Sequence, residues 1–326
     1  MPELASAFRP AWWLPGPHLP TIWGKVLRRR APVHDRLERW PTPDGDHLTL
    51  VRMGTVTSGV PHLLILHGLE AKITAKYAHG LLLEARKLGW SGDLLMFRSC
   101  DGEVNRARRF YHSGETTDAD FVIRRLASGV PDLHLVLCGV SLGGNVALKW
   151  LGEQGERVPR EVRRVAAVSV PYDLETGSRY LEHGFARLYV RHFLQSLTAK
   201  SLRKLELHPD LCDRERLLSA KTFWDFDDVL TGPLHGFAGA HDYYERSSSI
   251  GFLHRIRVPT LLVSAWDDPF LPPPVLERVR EIARGNPQLH LEFSRRGGHV
   301  GWVAGQPWNP RYHMEERVIR WLASGK

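Results

Sequence analysis

The sequence predicts an α/β fold, in which a mostly parallel β-sheet carries helices on both faces. Short apolar runs typical of buried strands alternate along the chain with segments of helical periodicity. Glycine and proline residues separate many of these runs, as expected for turns. The chain has 326 residues, of which 43% are hydrophobic, so it can bury a large core around such a sheet.

The first elements follow a turn at Pro43–Gly45. A weak apolar alternation after this turn predicts a strand at 48–51. The apolar run 62–66 predicts a buried strand that ends before a His-Gly pair. Apolar residues three and four positions apart then predict a helix at 77–88, which Gly89 ends.

The middle of the chain continues the same alternation. The run 93–97 predicts the next strand, and helical spacing predicts a helix at 117–127. Pro131 separates this helix from a buried strand predicted at 133–138. A second helix, rich in small residues and leucine, is predicted at 145–151.

The last elements complete the sheet. The run 165–170 predicts a strand that Pro171 ends, and two further apolar runs predict strands at 260–265 and 290–293. An amphipathic pattern predicts a terminal helix at 311–322. The order of these elements predicts parallel strands connected by helices.

The alternation breaks once, between about 172 and 252, in a stretch rich in Tyr, Phe, His and Leu with no strand pattern. We interpret this stretch as a helical insertion over the carboxyl ends of the strands, a cap or lid. Because it is a single excursion from one core, we expect one domain over residues 1–326.

Residues 1–40 form a Trp- and Pro-rich N-terminal arm that cannot be one long helix, because proline interrupts it repeatedly. We expect the arm to pack over the edge of the domain. The alternative is peripheral membrane contact, since tryptophan is common at lipid–water interfaces.

Composition argues against several classes of partner. The net charge is +8, but the basic residues are scattered among 36 acidic ones, and the run Arg28-Arg29-Arg30 is too short to indicate nucleic acid. No G-x-G-x-x-G or Walker loop indicates a nucleotide, so we expect no cofactor. None of the three cysteines belongs to a C-x-x-C pair, so we expect no structural metal site.

Cysteine usage also bears on location. Three cysteines do not make a disulfide framework, which is typical of a reducing compartment. No apolar run approaches the ~20 residues that span a membrane, and the N-terminus lacks the order of a signal peptide. We therefore expect a cytoplasmic protein.

The most informative motif is a serine in a glycine-rich turn, Gly139-Val140-Ser141-Leu142-Gly143. It matches G-x-S-x-G and lies between a predicted strand and a predicted helix, which is the context of a nucleophile elbow. Such a turn presents the serine hydroxyl at the positive end of the helix, and the glycines permit its strained dihedrals. The sequence therefore predicts Ser141 as a nucleophile.

A serine needs a base, and the base needs an acid that orients it. With this elbow the expected chain order is Ser, then Asp or Glu, then His. The loop after strand 260–265 offers Asp268, which we favour for its Asp-Pro-x-x-Pro context, and Asp267 as the alternative acid. The loop after strand 290–293 offers His299 as the base, preceded by two glycines; His313 is the nearest rival by order.

An oxyanion needs two backbone N–H donors. We expect one from Leu142, the residue after the nucleophile, and the other from Leu69, in the loop that follows His67-Gly68. His67 is expected to orient this loop and to take no part in the chemistry.

With these residues assembled, the chain resembles the YheT-like branch of the α/β hydrolases, the AB hydrolase 4 family. The motifs that carry the resemblance are Pro17-His18-Leu19-Pro20-Thr21, Leu66-His67-Gly68-Leu69-Glu70, Asn105-Arg106, Tyr111-His112-Ser113-Gly114, Gly139-Val140-Ser141-Leu142-Gly143-Gly144-Asn145, Phe226-Asp227-Asp228, Asp242-Tyr243-Tyr244, Asp267-Asp268-Pro269-Phe270 and Gly297-Gly298-His299-Val300-Gly301. The resemblance implies an α/β-hydrolase fold, with Ser141, Asp268 and His299 acting on carboxylic esters.

The sequence departs from the family at Ala71-Lys72, where the family usually carries Gly-Ser-type residues. These residues lie just after Leu69, the expected oxyanion donor. We therefore expect the departure to affect how the substrate enters the site.

The predicted function is that of a serine hydrolase that cleaves a carboxylic ester, with an acyl chain suggested by the aromatic cap, through an acyl-enzyme. The expected partner is a small-molecule ester or lipid. Two alternatives stay open: an acyl-alcohol transferase with the same triad, and a non-catalytic hydrolase-fold protein that binds a lipid or a partner.

Overall fold

A computed structural model describes residues 4–28 and 32–324, with an eight-stranded sheet at the centre. In chain order its strands are β1 Arg36–Pro41, β2 His47–Met53, β3 Pro61–Leu66, β4 Ser91–Met96, β5 His134–Val140, β6 Val162–Val168, β7 Thr260–Ala265 and β8 Leu289–Ser294. In space the order is β1-β2-β4-β3-β5-β6-β7-β8. β2 pairs antiparallel with β1 and β4, and all other neighbours are parallel. A separate antiparallel hairpin consists of β9 Val303–Gln306 and β10 Asn309–Tyr312.

The helices connect the strands and also fill the gap between β6 and β7. In chain order they are α1 His18–Ile22, α2 Lys76–Lys87, α3 Thr117–Gly129, α4 Leu142–Gln154, α5 Leu174–Leu181, α6 Ala186–Leu207, α7 Arg214–Ser219, α8 Phe223–Phe226, α9 Gly232–Leu234, α10 Ala240–Ser247, α11 Pro273–Arg284 and α12 His313–Ala323. Two π-helical turns cover Trp23–Leu27 and Asp227–Thr231, and short 3₁₀ turns cover Gly155–Arg157, Ser249–Gly251 and Leu253–Arg255.

The parallel strands form the core. Every residue of β4 and β7 is buried, and so is every residue of β3 after Pro61, because helices cover both faces of the sheet. The register pairs Leu66 at the end of β3 with Gly139 near the end of β5. The loops that follow these two central strands therefore lie side by side.

The predicted fold class is confirmed: the sheet is mostly parallel and helices alternate with its strands. Each of the seven predicted strands overlaps a strand of the sheet. β1 was not predicted, because this edge strand buries only Trp40 and shows no apolar alternation. The predicted start of the last helix at Arg311 is wrong, since Arg311 belongs to β10 and the helix begins at His313.

Six helices, α5 to α10, occupy the stretch between Leu174 and Ser247, within the insertion predicted from the break in alternation. They build an apolar cluster of their own, which includes Val190, Leu217 and Leu230. Lys204 of α6 is fully buried, and its Nζ donates to the backbone oxygen of Asn105, which lies between β4 and α3. The insertion thus makes polar contacts with the loops of the sheet as well as apolar ones.

The described part of the N-terminal arm lies along the β9–β10 hairpin. Trp12 Nε1 donates to Gln306, and Trp13 Nε1 donates to the backbone oxygen of Gly305 at 2.9 Å. Trp13 also packs edge-on against Trp23, with ring centroids 4.6 Å apart. Arg29 and Arg30, two residues of the basic run noted in the sequence, lie outside the described residues.

In residues 4–28 and 32–324, every helix is either too short or too polar to cross a bilayer.

Candidate active site

Ser141 lies in the sharp turn between β5 and α4. Its φ is +54° and its ψ is −120°, a region that residues with a Cβ rarely adopt. The neighbouring glycines are required by packing: a Cβ on Gly139 would overlap the backbone of Gly143, and one on Gly143 would overlap the carbonyl oxygen of Leu66. The turn therefore holds the serine in a strained position at the positive end of a helix.

The structure brings Ser141, His299 and Asp268 together, although they are far apart in the sequence. His299 Nε2 lies 3.0 Å from Ser141 Oγ. On the other side of the imidazole, Nδ1 lies 2.9 Å from Asp268 Oδ2. If Nδ1–H donates to the carboxylate, Nε2 is free to accept the serine proton, which is the tautomer that a general base needs.

The two candidate acids have different contacts. Asp268 is buried and faces His299, and its Oδ1 also accepts the backbone N–H of Phe270 at 2.8 Å. Asp267 instead accepts the backbone N–H of Gly298 at 3.0 Å. Burial raises the pKa of Asp267, and the nearby Asp268 charge raises it further. The geometry thus favours Asp268 as the partner of the imidazole. Asp267 instead contacts the loop that carries His299.

Two hydroxyl groups anchor the loop of His299. The backbone N–H of His299 donates to Thr21 Oγ1 at 2.8 Å, and that of Val300 donates to Ser169 Oγ at 3.1 Å. Gly298 has a φ of +62°, and a Cβ there would overlap the carbonyl oxygen of Pro17. Sequence reasoning missed both hydroxyls, although Thr21 belongs to a family motif quoted above.

His313, the nearest rival of His299 by chain order, lies elsewhere. It begins α12, and its ring packs against Phe8 with centroids 5.4 Å apart. Burial lowers the pKa of His313. Its contacts are those of a histidine that packs the N-terminal arm against the domain.

The loop after β3 approaches the serine closely. A Cβ on Gly68 would lie 3.3 Å from the Cβ of Ser141. Two tyrosine hydroxyls bind the amides on either side of Leu69: Gly68 N–H donates to Tyr77 Oη at 2.8 Å, and Glu70 N–H donates to Tyr111 Oη at 3.0 Å. No pattern in the sequence indicates this role for either tyrosine.

The amides of Leu69 and Leu142 are available to a ligand. Within the described part of the chain, neither N–H has a backbone or side-chain acceptor. Leu142 begins α4, where the first N–H groups of a helix have no acceptor within the helix, and the Leu69 amide lies between two amides that are paired with tyrosines. Both belong to residues that lie next to Ser141, Leu142 by sequence and Leu69 through the contact of Gly68.

His67 stabilises the same loop from below. Its Nε2 lies 3.0 Å from the backbone N–H of Phe97 and accepts from it, so the proton is on Nδ1, which donates to the carbonyl oxygen of Gly68 at 2.7 Å. Complete burial lowers the pKa of His67 to about 4, which keeps the ring neutral near pH 7. Among the described residues its ring makes no hydrogen bond to Ser141, which fits an orienting role.

Aromatic rings from the insertion and from the acid loop surround the imidazole. Phe270 stacks on His299, and Tyr189 of α6 packs against Phe270 with centroids 5.0 Å apart. Phe193, one turn further along α6, lies 6.4 Å from Phe270. These rings form an apolar wall beside the imidazole.

Residues 4–28 and 32–324 contain no cluster of three or more His, Cys, Asp or Glu side chains that could hold a metal ion. Cys100 and Cys138 are buried, Cys212 is half-buried, and all three carry free thiols.

Comparison with known proteins agrees with the fold. A family model described as alpha/beta hydrolase fold matches residues 61–301. The YheT protein of Escherichia coli (strain K12), an esterase candidate by its name, is 36% identical over 94% of this chain and 90% of its own. Phospholipase ABHD3 of Homo sapiens is 27% identical over 93% of this chain and 77% of its own.

A solved structure with the same fold is the esterase Pf2001 of Pyrococcus furiosus. It superposes with a TM-score of 0.59, covering 92% of this chain and 96% of its own, at 16% sequence identity. At that identity the likeness concerns the fold alone. The family model and the identity with YheT together establish that this chain belongs to the α/β-hydrolase family, in its YheT-like branch.

Proposed function

We propose that this protein is a serine hydrolase that cleaves carboxylic esters through an acyl-enzyme intermediate. The observation that carries the proposal is the continuous hydrogen-bonded chain from Ser141 Oγ through the imidazole of His299 to the carboxylate of Asp268. The serine of this hydrogen-bonded series lies in a strained elbow. Relatives of the protein are named as esterases and lipases.

In the first half of the reaction Ser141 Oγ attacks the ester carbonyl while His299 Nε2 takes its proton. Asp268 holds the imidazole in the required tautomer and stabilises the imidazolium. The tetrahedral intermediate collapses when the imidazolium gives its proton to the leaving alcohol, which leaves the acyl group on Ser141. In the second half, water gives its proton to His299 Nε2 and attacks the acyl group. The bond to Ser141 Oγ then breaks, the imidazolium returns the proton to Oγ, and the acid is released.

The oxyanion of both intermediates requires two donors, and the unpaired amides of Leu69 and Leu142 meet this need. Tyr77 and Tyr111 occupy the amides that flank Leu69, so the Leu69 amide is the one left for the substrate. A preorganised donor of this kind contributes on the order of 10²–10³ in kcat.

The wall of Tyr189, Phe193 and Phe270 favours an acyl chain over a charged acid as the group that enters the site. Relatives named as phospholipase and monoacylglycerol lipase act on esters of that class, which supports the same assignment here. A panel of p-nitrophenyl esters of increasing chain length tests this part of the proposal.

The decisive test is hydrolysis of p-nitrophenyl butyrate by Ser141→Ala and by the control Ser128→Ala, whose hydroxyl bonds the backbone of its own helix. Loss of a triad member lowers kcat by at least ~10³. Ser128→Ala is expected to keep wild-type activity. Substantial turnover by folded Ser141→Ala protein contradicts the proposal. Product analysis with added alcohol separates hydrolysis from acyl transfer.

Three further expectations remain predictions. These are a single domain over 1–326 with 172–252 as its cap, a cytoplasmic location, and activity without a cofactor. Limited proteolysis, cell fractionation and assay in the presence of a chelator test them in turn.

A further inference from the structure

Five large apolar side chains are exposed on two segments, residues 18–28 of the N-terminal arm and residues 185–192 at the start of α6. Each of the five is between 45% and 60% exposed. They are Leu19, Val26, Leu27, Phe185 and Leu188. We name this set the apolar rim.

The two segments touch each other, so the rim is one surface. The ring of His18 packs against that of Phe185 with centroids 4.4 Å apart, and its Nδ1 lies 3.2 Å from Tyr189 Oη. Further along, Lys25 Nζ lies 4.7 Å from the ring centroid of Phe193. Both ends of the arm segment are thus in contact with α6.

The surface also carries an excess of positive charge. Residues 18–28 and 185–192 contain no Asp or Glu, and neither does α6 from there to residue 205, whereas Lys25, Arg187 and Arg191 are exposed on the two segments. The carboxylate that faces Lys25 from the neighbouring loop is Glu70, which Lys200 pairs with in a salt bridge. Lys72, the departure from the family pattern, adds a further exposed cation near Lys25.

The rim borders the candidate active site. Thr21, between Leu19 and Val26, accepts the backbone N–H of His299 at 2.8 Å. Tyr189, one residue after Leu188, packs against Phe270, which stacks on His299. A molecule that reaches the rim is therefore beside the loop that carries the proposed base.

We propose that the apolar rim and its cations bind the surface of a bilayer that contains anionic lipid. Apolar side chains that insert shallowly, with Lys and Arg beside them, are the combination that holds a protein at such a surface. Both segments lack acidic residues but carry exposed cations. This charge favours a bilayer with anionic lipid over an uncharged bilayer. Trp12 and Trp13, two tryptophans of the arm, are hydrogen-bonded to the β9–β10 hairpin and are not part of the rim.

Bilayer binding would bring an ester held in a membrane to Ser141, and this consequence rests on the proposed hydrolysis. The binding of the rim to a bilayer does not depend on hydrolysis. The two are measured separately by using the full chain with Ser141→Ala, which leaves vesicle lipids intact.

The experiment is sedimentation of this protein with sucrose-loaded vesicles of phosphatidylcholine alone, or with a third of the lipid replaced by phosphatidylglycerol. The partition coefficient is expected to be at least tenfold higher for the anionic vesicles and to fall with added salt. Leu188→Ser and Arg191→Glu should each lower it by about five- to tenfold.

Matched controls lie at the end of α2, just before β4 begins at Ser91, whereas the site lies in loops that follow the carboxyl ends of strands. Leu88 follows α2 and is 52% exposed, close to the 55% of Leu188, and Arg86 is an exposed cation on the same helix. Leu88→Ser and Arg86→Glu are expected to bind vesicles like the parent protein.

Folded protein that stays in the supernatant with both vesicles overturns the proposal, as do equal losses in Leu88→Ser and Leu188→Ser. So does a dimer in analytical ultracentrifugation that Leu188→Ser dissociates, because a second copy would then cover the rim. If vesicles bind as expected but no soluble ester is hydrolysed by the wild type, the proposed function fails and the bilayer contact stands.

Discussion

Phe270 stacks on the imidazole of His299, with ring centroids 4.2 Å apart and planes inclined by 25°. Its backbone N–H also donates to Asp268 Oδ1 at 2.8 Å. One residue therefore contacts both the proposed base and the proposed acid. The ring limits rotation of the imidazole, and its face attracts the imidazolium that forms during the reaction.

Replacing Phe270 with leucine should lower kcat on p-nitrophenyl butyrate by about tenfold, since it removes the aromatic face but keeps an apolar side chain. Steady-state kinetics measures the effect. The control is Phe121→Leu, a partly buried aromatic residue of α3 that packs near Arg125. Equal kcat values for wild type and Phe270→Leu would show that stacking contributes nothing to the reaction.

The two aspartates of the acid loop should respond differently to amidation. Asp268→Asn removes the acceptor that orients His299, and we expect kcat to fall by about 10³–10⁴. Asp267→Asn keeps an oxygen for Gly298 N–H, so the fall should stay within about tenfold. Both variants are assayed with the same soluble ester, with folding checked by circular dichroism. A larger loss in Asp267→Asn reverses the assignment.

Removing the hydroxyl of Tyr77 should disturb the oxyanion loop. Tyr77→Phe leaves the N–H of Gly68 without its acceptor, which costs about 1–3 kcal/mol in a buried position. We expect lower stability in urea and a kcat reduced by about tenfold with little change in KM. Tyr180→Phe, at an exposed site, is the matched control. A normal kcat in Tyr77→Phe argues against this role.

Asp227 in the insertion should make stability depend on pH. Desolvation raises the pKa of its carboxyl to about 6, above the ordinary value of 3.8, and Tyr244 Oη donates to it at 2.7 Å. The folded state therefore holds the proton more tightly than the unfolded state. The stability contribution of this group is full below about pH 4 and is lost as the pH rises through 6, by on the order of 2–3 kcal/mol.

The matched variant is Asp227→Asn, which cannot titrate. The free energy of unfolding of the wild type, taken relative to that of Asp227→Asn, should increase as the pH is lowered from 7 to 4. Urea titrations at several pH values give this difference directly. A difference that is constant with pH, or that decreases toward low pH, contradicts the predicted sign.

The parallel core was predictable because buried strands appear in the sequence as short apolar runs, as at 62–66 and 260–265. The edge strand β1 and the β9–β10 hairpin were not, because they expose most of their residues and carry no apolar pattern. The chain order of Ser141, Asp268 and His299 was expected from the elbow motif, and each residue was assigned to the loop after a predicted strand. Their distances could not be known before the fold was built.

The supporting residues were harder to predict than the chemical ones. Thr21 and Tyr77 each accept a backbone N–H with a single hydroxyl group. The amide that Thr21 binds is far from it in the sequence, and no motif marks the amide that Tyr77 binds. No spacing rule connects Thr21 to a loop 278 residues later. The choice between Asp267 and Asp268 likewise needed coordinates, because adjacent residues differ only in where their side chains point.

The most direct test of the central claim is labelling by a fluorophosphonate, followed by peptide mass spectrometry. We predict one labelled residue, Ser141, with no label in Ser141→Ala and a labelling rate reduced by at least ~10² in His299→Gln. Folded wild-type protein that takes no label at Ser141, or that labels equally fast without the imidazole of His299, would contradict it.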